Sequence, residues 1–144
     1  MTTPVETFQA GTIAFNDHDV DAFAALLADD VAFDAPGGLR GTGRTACAEF
    51  YRSWITSFPD AHVDVNAVHV SGDVIVEEGT FLGTHHGALE TPAGDIPPTG
   101  RRVSVPYVHV LSFRDGKHTA LSLMFDRLLM LEQLGVVPVA EPAR

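Results

Sequence analysis

Residues 102–126 read RVSVPYVHVLSFRDGKHTALSLMFD, and this stretch sets the fold class. Val103, Val105, Tyr107, His109 and Leu111 occupy alternate positions, the period-2 pattern of a strand with one face toward an apolar interior. Asp115-Gly116 suits a tight hairpin turn, so residues 117–126 return antiparallel to the first run. Moving toward the N-terminus, alternation continues through residues 74–84 and 62–70, with Glu78, Thr80 and Thr84 as a polar set on the former. It stops at Pro59, before which the period is helical.

Thr3, Pro4 and Glu6 form a capping-box signature that starts a helix over about residues 4–16, with Phe8, Thr12 and Phe15 on its inner side. Asn16-Asp17-His18-Asp19 breaks it, and Asp19 caps a short second helix carrying Val20, Phe23, Ala24 and Leu27. Asp29-Asp30 ends that helix, and Val31-Ala32-Phe33-Asp34 reads as a brief strand stopped by Pro36-Gly37-Gly38. A third helix over about residues 44–57 brings Cys47, Phe50, Tyr51, Trp54 and then Phe58 near one face. Residues 83–102 form a long loop, and a closing helical turn over 128–134 ends at Gly135 and Pro138. Helices first and antiparallel strands afterwards predict an α+β domain, three N-terminal helices covering one face of a curved antiparallel sheet. With 144 residues, a single domain over 1–144 is expected, its ordered core about 4–137 and its C-terminal tail short.

Composition excludes several function classes. A formal net charge of −10 with only 9 Lys+Arg repels phosphate backbones, so no nucleic-acid partner is expected. No apolar run approaches the ~18 residues of a membrane span, and Met1-Thr2-Thr3-Pro4 lacks the features of a secretion signal. A cytoplasmic protein without membrane contact is the expectation. The single cysteine, Cys47, sits in a helical apolar pattern and reads as a buried structural thiol. No His-x-His or His-Glu-x-x-His spacing occurs, and the adjacent His85 and His86 point to opposite sides in extended chain, so no metal site is expected.

Four ordered segments carry a family resemblance: Trp54 followed by Phe58-Pro59-Asp60; Glu78-Gly79-Thr80-Phe81-Leu82-Gly83-Thr84-His85; Pro97-Pro98-Thr99-Gly100-Arg101-Arg102-Val103; and Phe125-Asp126-Arg127-Leu128 through Glu132-Gln133-Leu134-Gly135. Together they resemble the SnoaL-like polyketide cyclases, also called ester cyclases. The resemblance implies the nuclear transport factor 2-like cone enclosing one pocket. It also implies cofactor-free intramolecular aldol cyclisation of a polyketide-like carbonyl substrate, hydrophobic or aromatic, and a homodimer. The apolar run Leu128-Leu129-Met130-Leu131 is consistent with a dimer contact and equally with core burial. Ketosteroid isomerase, of the same superfamily, is matched less well. Its base would stand at Ala35 and its oxyanion tyrosine near Gly11, while Asp34 is one residue out of register and so on the opposite face.

Such chemistry needs a base, an oxyanion donor and a dry pocket. The resemblance assigns the base to Asp126, expected to share an inward face with Met124 and Ser122; as the residue before a helix, Asp126 also reads as an N-cap. His109 is the second candidate, either orienting substrate beside Asp126 or serving as a core histidine, and Tyr107 shares its face. Trp54 reads as core or as a ligand shelf, His85 as facing the pocket mouth, and Glu78 as a buried carboxylate or, preferably, an exposed one. Phe33 and Met124 complete the expected substrate wall, and Arg101-Arg102 reads as a carboxylate anchor or a solvated pair. Many relatives carry an acidic residue and a histidine where this chain has Ala120-Leu121, which leaves altered or lost activity open. The competing readings are a binding module on the same cone, or another enzyme of the superfamily such as an epoxide hydrolase using Asp126 and Asp34.

Overall fold

The Thr3 side chain accepts from Glu6 N at 3.2 Å, and Glu6 Oε1 accepts from Thr3 N at 3.3 Å, which closes the capping box at the head of α1 (Pro4–Asn16). In the computed structural model, which describes residues 2–138, this helix is followed by α2 (Val20–Ala24), capped by Asp19 Oδ1 on Ala22 N at 3.0 Å. The chain then forms β1 (Leu27–Ala35), β2 (Leu39–Thr42), α3 (Arg44–Ser57), β3 (His62–Ser71) and β4 (Val74–Thr84). A small hairpin of β5 (Leu89–Thr91) and β6 (Gly94–Ile96) precedes β7 (Arg102–Arg114), β8 (Lys117–Phe125) and α4 (Arg127–Gln133). The expected tail beyond residue 138 lies outside the described residues.

One six-stranded sheet runs in the order β2-β1-β8-β7-β4-β3. Its β1–β8 pairing is parallel, Phe33 opposite Leu121, so the sheet is mixed and not wholly antiparallel as expected. The strand read at 31–34 starts earlier, at the fully buried Leu27, which pairs with His118 of β8. Leu27 therefore belongs to β1 and not to the second helix. β2, absent from the sequence reading, returns beyond Pro36-Gly37-Gly38 to pair Gly41 with Phe33.

Side-chain alternation gives the sheet an inner face of Ile75, Glu77, Gly79 and Phe81 on β4, Val105, Tyr107, His109 and Leu111 on β7, and Leu121 and Leu123 on β8. The helices α1, α2 and α3 pack on this face, and α4 closes one end with Met130 and Leu134 buried. Phe15, Phe50 and Trp54 touch both halves of the apolar interior and so join them. Cys47 is fully buried in α3, and burial pushes its thiol up to about 12, which keeps it protonated and inert. Among the described residues no helix is long and apolar enough to cross a membrane.

One irregularity matters for the site. On β7, Ser112 and Phe113 are consecutive, but their partners on β8 are Ala120 and His118. Thr119 is thus an extra residue, a bulge that puts His118 on the same inner face as Leu121 and Leu123.

Candidate functional site

A cavity of about 90 Å³, open to solvent, lies between the helices and the inner face of the sheet. Its wall is mostly apolar, with Phe8, Phe15 and Phe23 from the first two helices, Trp54 from α3, and Phe81, Leu111 and Leu123 from the sheet. Four polar side chains interrupt that wall on the sheet side: Glu77, Tyr107, His109 and His118.

Three of these form one hydrogen-bonded group, and strand register explains why. Glu77 on β4 lies directly opposite His109 on β7, and Gly79 lies opposite Tyr107. With no side chain at Gly79, the phenol of Tyr107 leans across that position and donates to Glu77 Oε2 at 2.5 Å. A Cβ on Gly79 would stand 2.4 Å from the Tyr107 hydroxyl, so the glycine is what permits the contact. His109 Nδ1 meets Glu77 Oε1 at 3.1 Å, and Tyr51 of α3 meets His109 Nε2 at 2.7 Å.

The proton positions follow from the partners. Burial, followed by the charges of Cys47 and Glu77, pushes the Tyr51 hydroxyl well above its ordinary pKa. Burial and then the Glu77 carboxylate do the same for Tyr107. Both phenols keep their protons and donate. Tyr51 therefore donates to Nε2 of His109, which places the imidazole proton on Nδ1, where it is donated to Glu77. Glu77 is 4% exposed and accepts one donor on each oxygen, leaving a free lone pair on each. A carboxylate held this way in an apolar cavity has the position and spare acceptor capacity of a general base.

The expected base is elsewhere. Asp126 is exposed, and its Oδ1 accepts from Leu129 N at 3.0 Å as the N-cap of α4. It shares parity with Met124, which is 52% exposed on the outer face, because the inward positions of β8 are Leu121, Leu123 and Phe125. Met124 and Asp126 therefore do not line the cavity, contrary to expectation. Glu78 is also on the outer face, exposed and bonded to His69 at 2.8 Å, so it is not part of the wall where a substrate-binding role would place it. Phe33 is buried but stacks on Phe50 at 5.4 Å in the core, outside the cavity wall.

His85 is fully buried and does not face the mouth. Its Nδ1 accepts from the Thr99 main chain at 3.1 Å and from Thr99 Oγ1 at 3.0 Å, and its own carbonyl accepts from Gly100 N at 2.8 Å. It thereby ties the neck of the long loop, and burial lowers its pKa. Arg101 and Arg102 are exposed, and Asp34, turned outward, accepts from Ser122 Oγ at 2.6 Å. No arginine or aspartate is among the cavity-lining residues, so an Asp-Arg-Asp water site is not built there. Of the expected residues, the cavity brings together His109, Tyr107 and Trp54.

Sequence reasoning missed Glu77 and His118. Glu77 was detectable by register, since it shares a face with His109 wherever the two strands pair opposite each other. His118 was not, because only the bulge at Thr119 turns it inward. Among the described residues no three His, Cys, Asp or Glu side chains are placed to share a metal ion.

The family model of the SnoaL-like domain matches residues 5–121. A candidate polyketide cyclase from Xanthomonas campestris pv. campestris is similar in structure, 28% identical over 91% of this chain and 96% of that one, with a TM-score of 0.79. IdmH, a candidate polyketide cyclase from Streptomyces antibioticus, is 26% identical over 92% of this chain and 98% of its own, with a TM-score of 0.76. A protein of ketosteroid isomerase-like fold from Catenulispora acidiphila DSM 44928, in complex with trimethylamine, shares the fold at 22% identity, a TM-score of 0.77, and coverage of 98% and 100%. No curated protein matches the chain.

Proposed function

The chain belongs to the SnoaL-like family, and from that premise we propose that it is a cofactor-free acid/base enzyme for aldol-type ring closure of a polyketide-like carbonyl compound. The observation that carries this reading is a buried carboxylate, Glu77, fixed between Tyr107 and His109 in an otherwise apolar cavity. Glu77 takes the proton from the carbon next to a carbonyl, and the resulting enolate carbon attacks a second carbonyl of the same molecule. The new alkoxide then recovers a proton from the Glu77 carboxyl, so no electrons or atoms are exchanged with a cofactor. Once protonated, Glu77 no longer needs the Tyr107 donor, and that O–H is free to turn toward the developing oxyanion. His109, aligned by Tyr51, holds the carboxylate in place throughout.

The cavity volume bears on substrate size. About 90 Å³ is less than the ~150 Å³ that accommodates benzene in an engineered apolar site. A polycyclic substrate would therefore place only its reacting end inside, or displace half-buried wall residues such as Trp54 and Phe125. A cytoplasmic address and a homodimer are part of the same proposal, the latter using Met124 and Leu128, which are 52% and 56% exposed. Sedimentation of a monomer at micromolar concentration would remove the dimer from it.

The test is deuterium exchange next to the carbonyl of cyclopentanone, followed by proton NMR. Glu77→Gln is expected to slow protein-dependent exchange by at least ~100-fold, the low end for loss of a general base. Asp126→Asn is expected to exchange at the wild-type rate. Equal rates for wild type and Glu77→Gln would overturn the assignment. A second reading, a binding module, is favoured by one observation: the donors of Tyr51, Tyr107 and His109 are all taken up within the group without a ligand. Binding of the ketone without any exchange would select it.

A further inference from the structure

His118 is the remaining polar side chain on the sheet side of the cavity, and the hydrogen-bonded group around Glu77 does not include it. It is 2% exposed, packed between the rings of Phe113 at 4.6 Å and Phe23 at 6.3 Å. Burial, and secondarily the neighbouring His109, lowers its pKa to about 3, so the imidazole is neutral at physiological pH.

A neutral imidazole carries one N–H and one bare nitrogen, and the surroundings choose between them. Nδ1 is buried with no partner among the described residues. Neither nitrogen is hydrogen-bonded among the described residues, but only Nδ1 is fully shut off; a buried N–H without an acceptor costs more than an unused lone pair, so the proton belongs on Nε2, the nitrogen on the cavity side. Nε2 points at α1, where a Cβ on Gly11 would lie 3.7 Å away.

Gly11 adds an independent observation. It sits in the interior of α1, where glycine costs ~1 kcal/mol relative to alanine. Its nearest contacts to an added Cβ are 3.7, 3.7 and 3.8 Å, ordinary packing distances, so neither sterics nor a positive φ requires it. What the glycine does is leave room beside His118 Nε2 within the cavity.

We infer that the Nε2–H of His118, uncovered by Gly11, is a substrate-binding donor for an oxygen acceptor at the end of the ligand remote from Glu77. The ligand class that fits is a mainly apolar molecule carrying two oxygen functions, one by Glu77 and one by His118, with hydrocarbon between them against Leu111 and Leu121. Phe113, the β7 partner of His118, is four residues from His109, the partner of Glu77. Along an extended strand that spacing is roughly 13 Å between main-chain positions, so Glu77 and His118 enter the cavity from separate positions along β7. The inference rests on the cavity being the substrate site, and it is tested by binding so that it stands or falls apart from turnover.

The probes are cyclopentanone and methylenecyclopentane, equal in shape and different in one acceptor oxygen. Wild-type protein is expected to bind the ketone roughly fivefold more tightly, the worth of one net hydrogen bond. His118→Phe is expected to abolish that preference, and Gly11→Ala to reduce it by covering Nε2. Glu77→Gln keeps the preference while losing exchange, which separates the two proposals. In ¹⁵N-labelled wild type, the Nε2 resonance of His118 is expected to read as protonated and to shift with ketone but not with hydrocarbon. Absence of the preference in wild type, its survival in His118→Phe, or a proton found on Nδ1 would overturn the inference. The NMR measurement on wild type decides the matter if His118→Phe does not fold.

Discussion

Gly79→Ala offers a test of the site that requires no substrate. The added methyl would stand 2.4 Å from the Tyr107 hydroxyl, 2.5 Å from Cζ and 2.7 Å from Cε1. Restoring an ordinary contact needs the phenol to retreat by roughly 1 Å, which breaks its 2.5 Å bond to Glu77. Losing a donor to a buried carboxylate costs ~1.5–3 kcal/mol, and overpacking alone costs ~1–3 kcal/mol. Because both arise from one displacement they are not summed, and a total of ~2–4 kcal/mol is expected in guanidinium unfolding. The same substitution in a Tyr107→Leu background meets no ring. There it is expected to be neutral or to stabilise by up to ~1 kcal/mol, since glycine is a poor strand residue. The change of sign is the diagnostic. A cost below ~0.5 kcal/mol in the wild-type background, or the same cost in both, would show that the phenol does not lie over Gly79 and would dismantle the Glu77 geometry.

Three further outcomes are expected. Asp126→Ala loses a helix cap and destabilises by ~1 kcal/mol in denaturant unfolding, whereas Asp126→Asn changes stability by a few tenths at most and leaves ketone exchange unaltered. Cys47, with its thiol at about 12, resists iodoacetamide at pH 8 in the native protein and reacts only in denaturant; rapid native labelling would contradict its burial. His118 has a folded pKa of about 3 against ~6.5 for an unfolded histidine. Below pH ~6.5 the unfolded chain takes a proton that the folded chain refuses, so stability falls as pH drops, by up to ~1.4 kcal/mol per unit. His118→Phe is expected to flatten that slope between pH 6 and 4, and an unchanged slope would mean the imidazole is solvated.

Local signals in the chain were sufficient for most of the fold. The capping box at Thr3, the Asp19 cap, the helical face of α3 and the Asp115-Gly116 hairpin all form where short-range chemistry places them. What escaped was long-range. The parallel pairing of β1 with β8 joins segments nearly ninety residues apart, Phe33 to Leu121, and no local pattern encodes that choice. The buried His85, read as a pocket-mouth residue, illustrates the same limit, because its partner Thr99 lies across the loop it closes.

The expected inward placement of Asp126 failed by parity, and the reason can be traced. Asp126 and His109 were expected to meet, yet β7 and β8 pair His109 with Leu123, and Asp126 lies three residues farther on, past the end of β8 and exposed. Glu77 and Glu78 are adjacent carboxylates, and alternation alone assigns one inward and the other outward without saying which. The register does say. Cross-strand partners share a face, so an inward His109 requires an inward Glu77, and Glu78, opposite Val108, must point out. The physical demand for an acid beside an imidazole in an apolar hollow is met, but by the strand on the other side of His109. The acid at position 126 is left to do what its neighbours ask of it, which is to cap a helix.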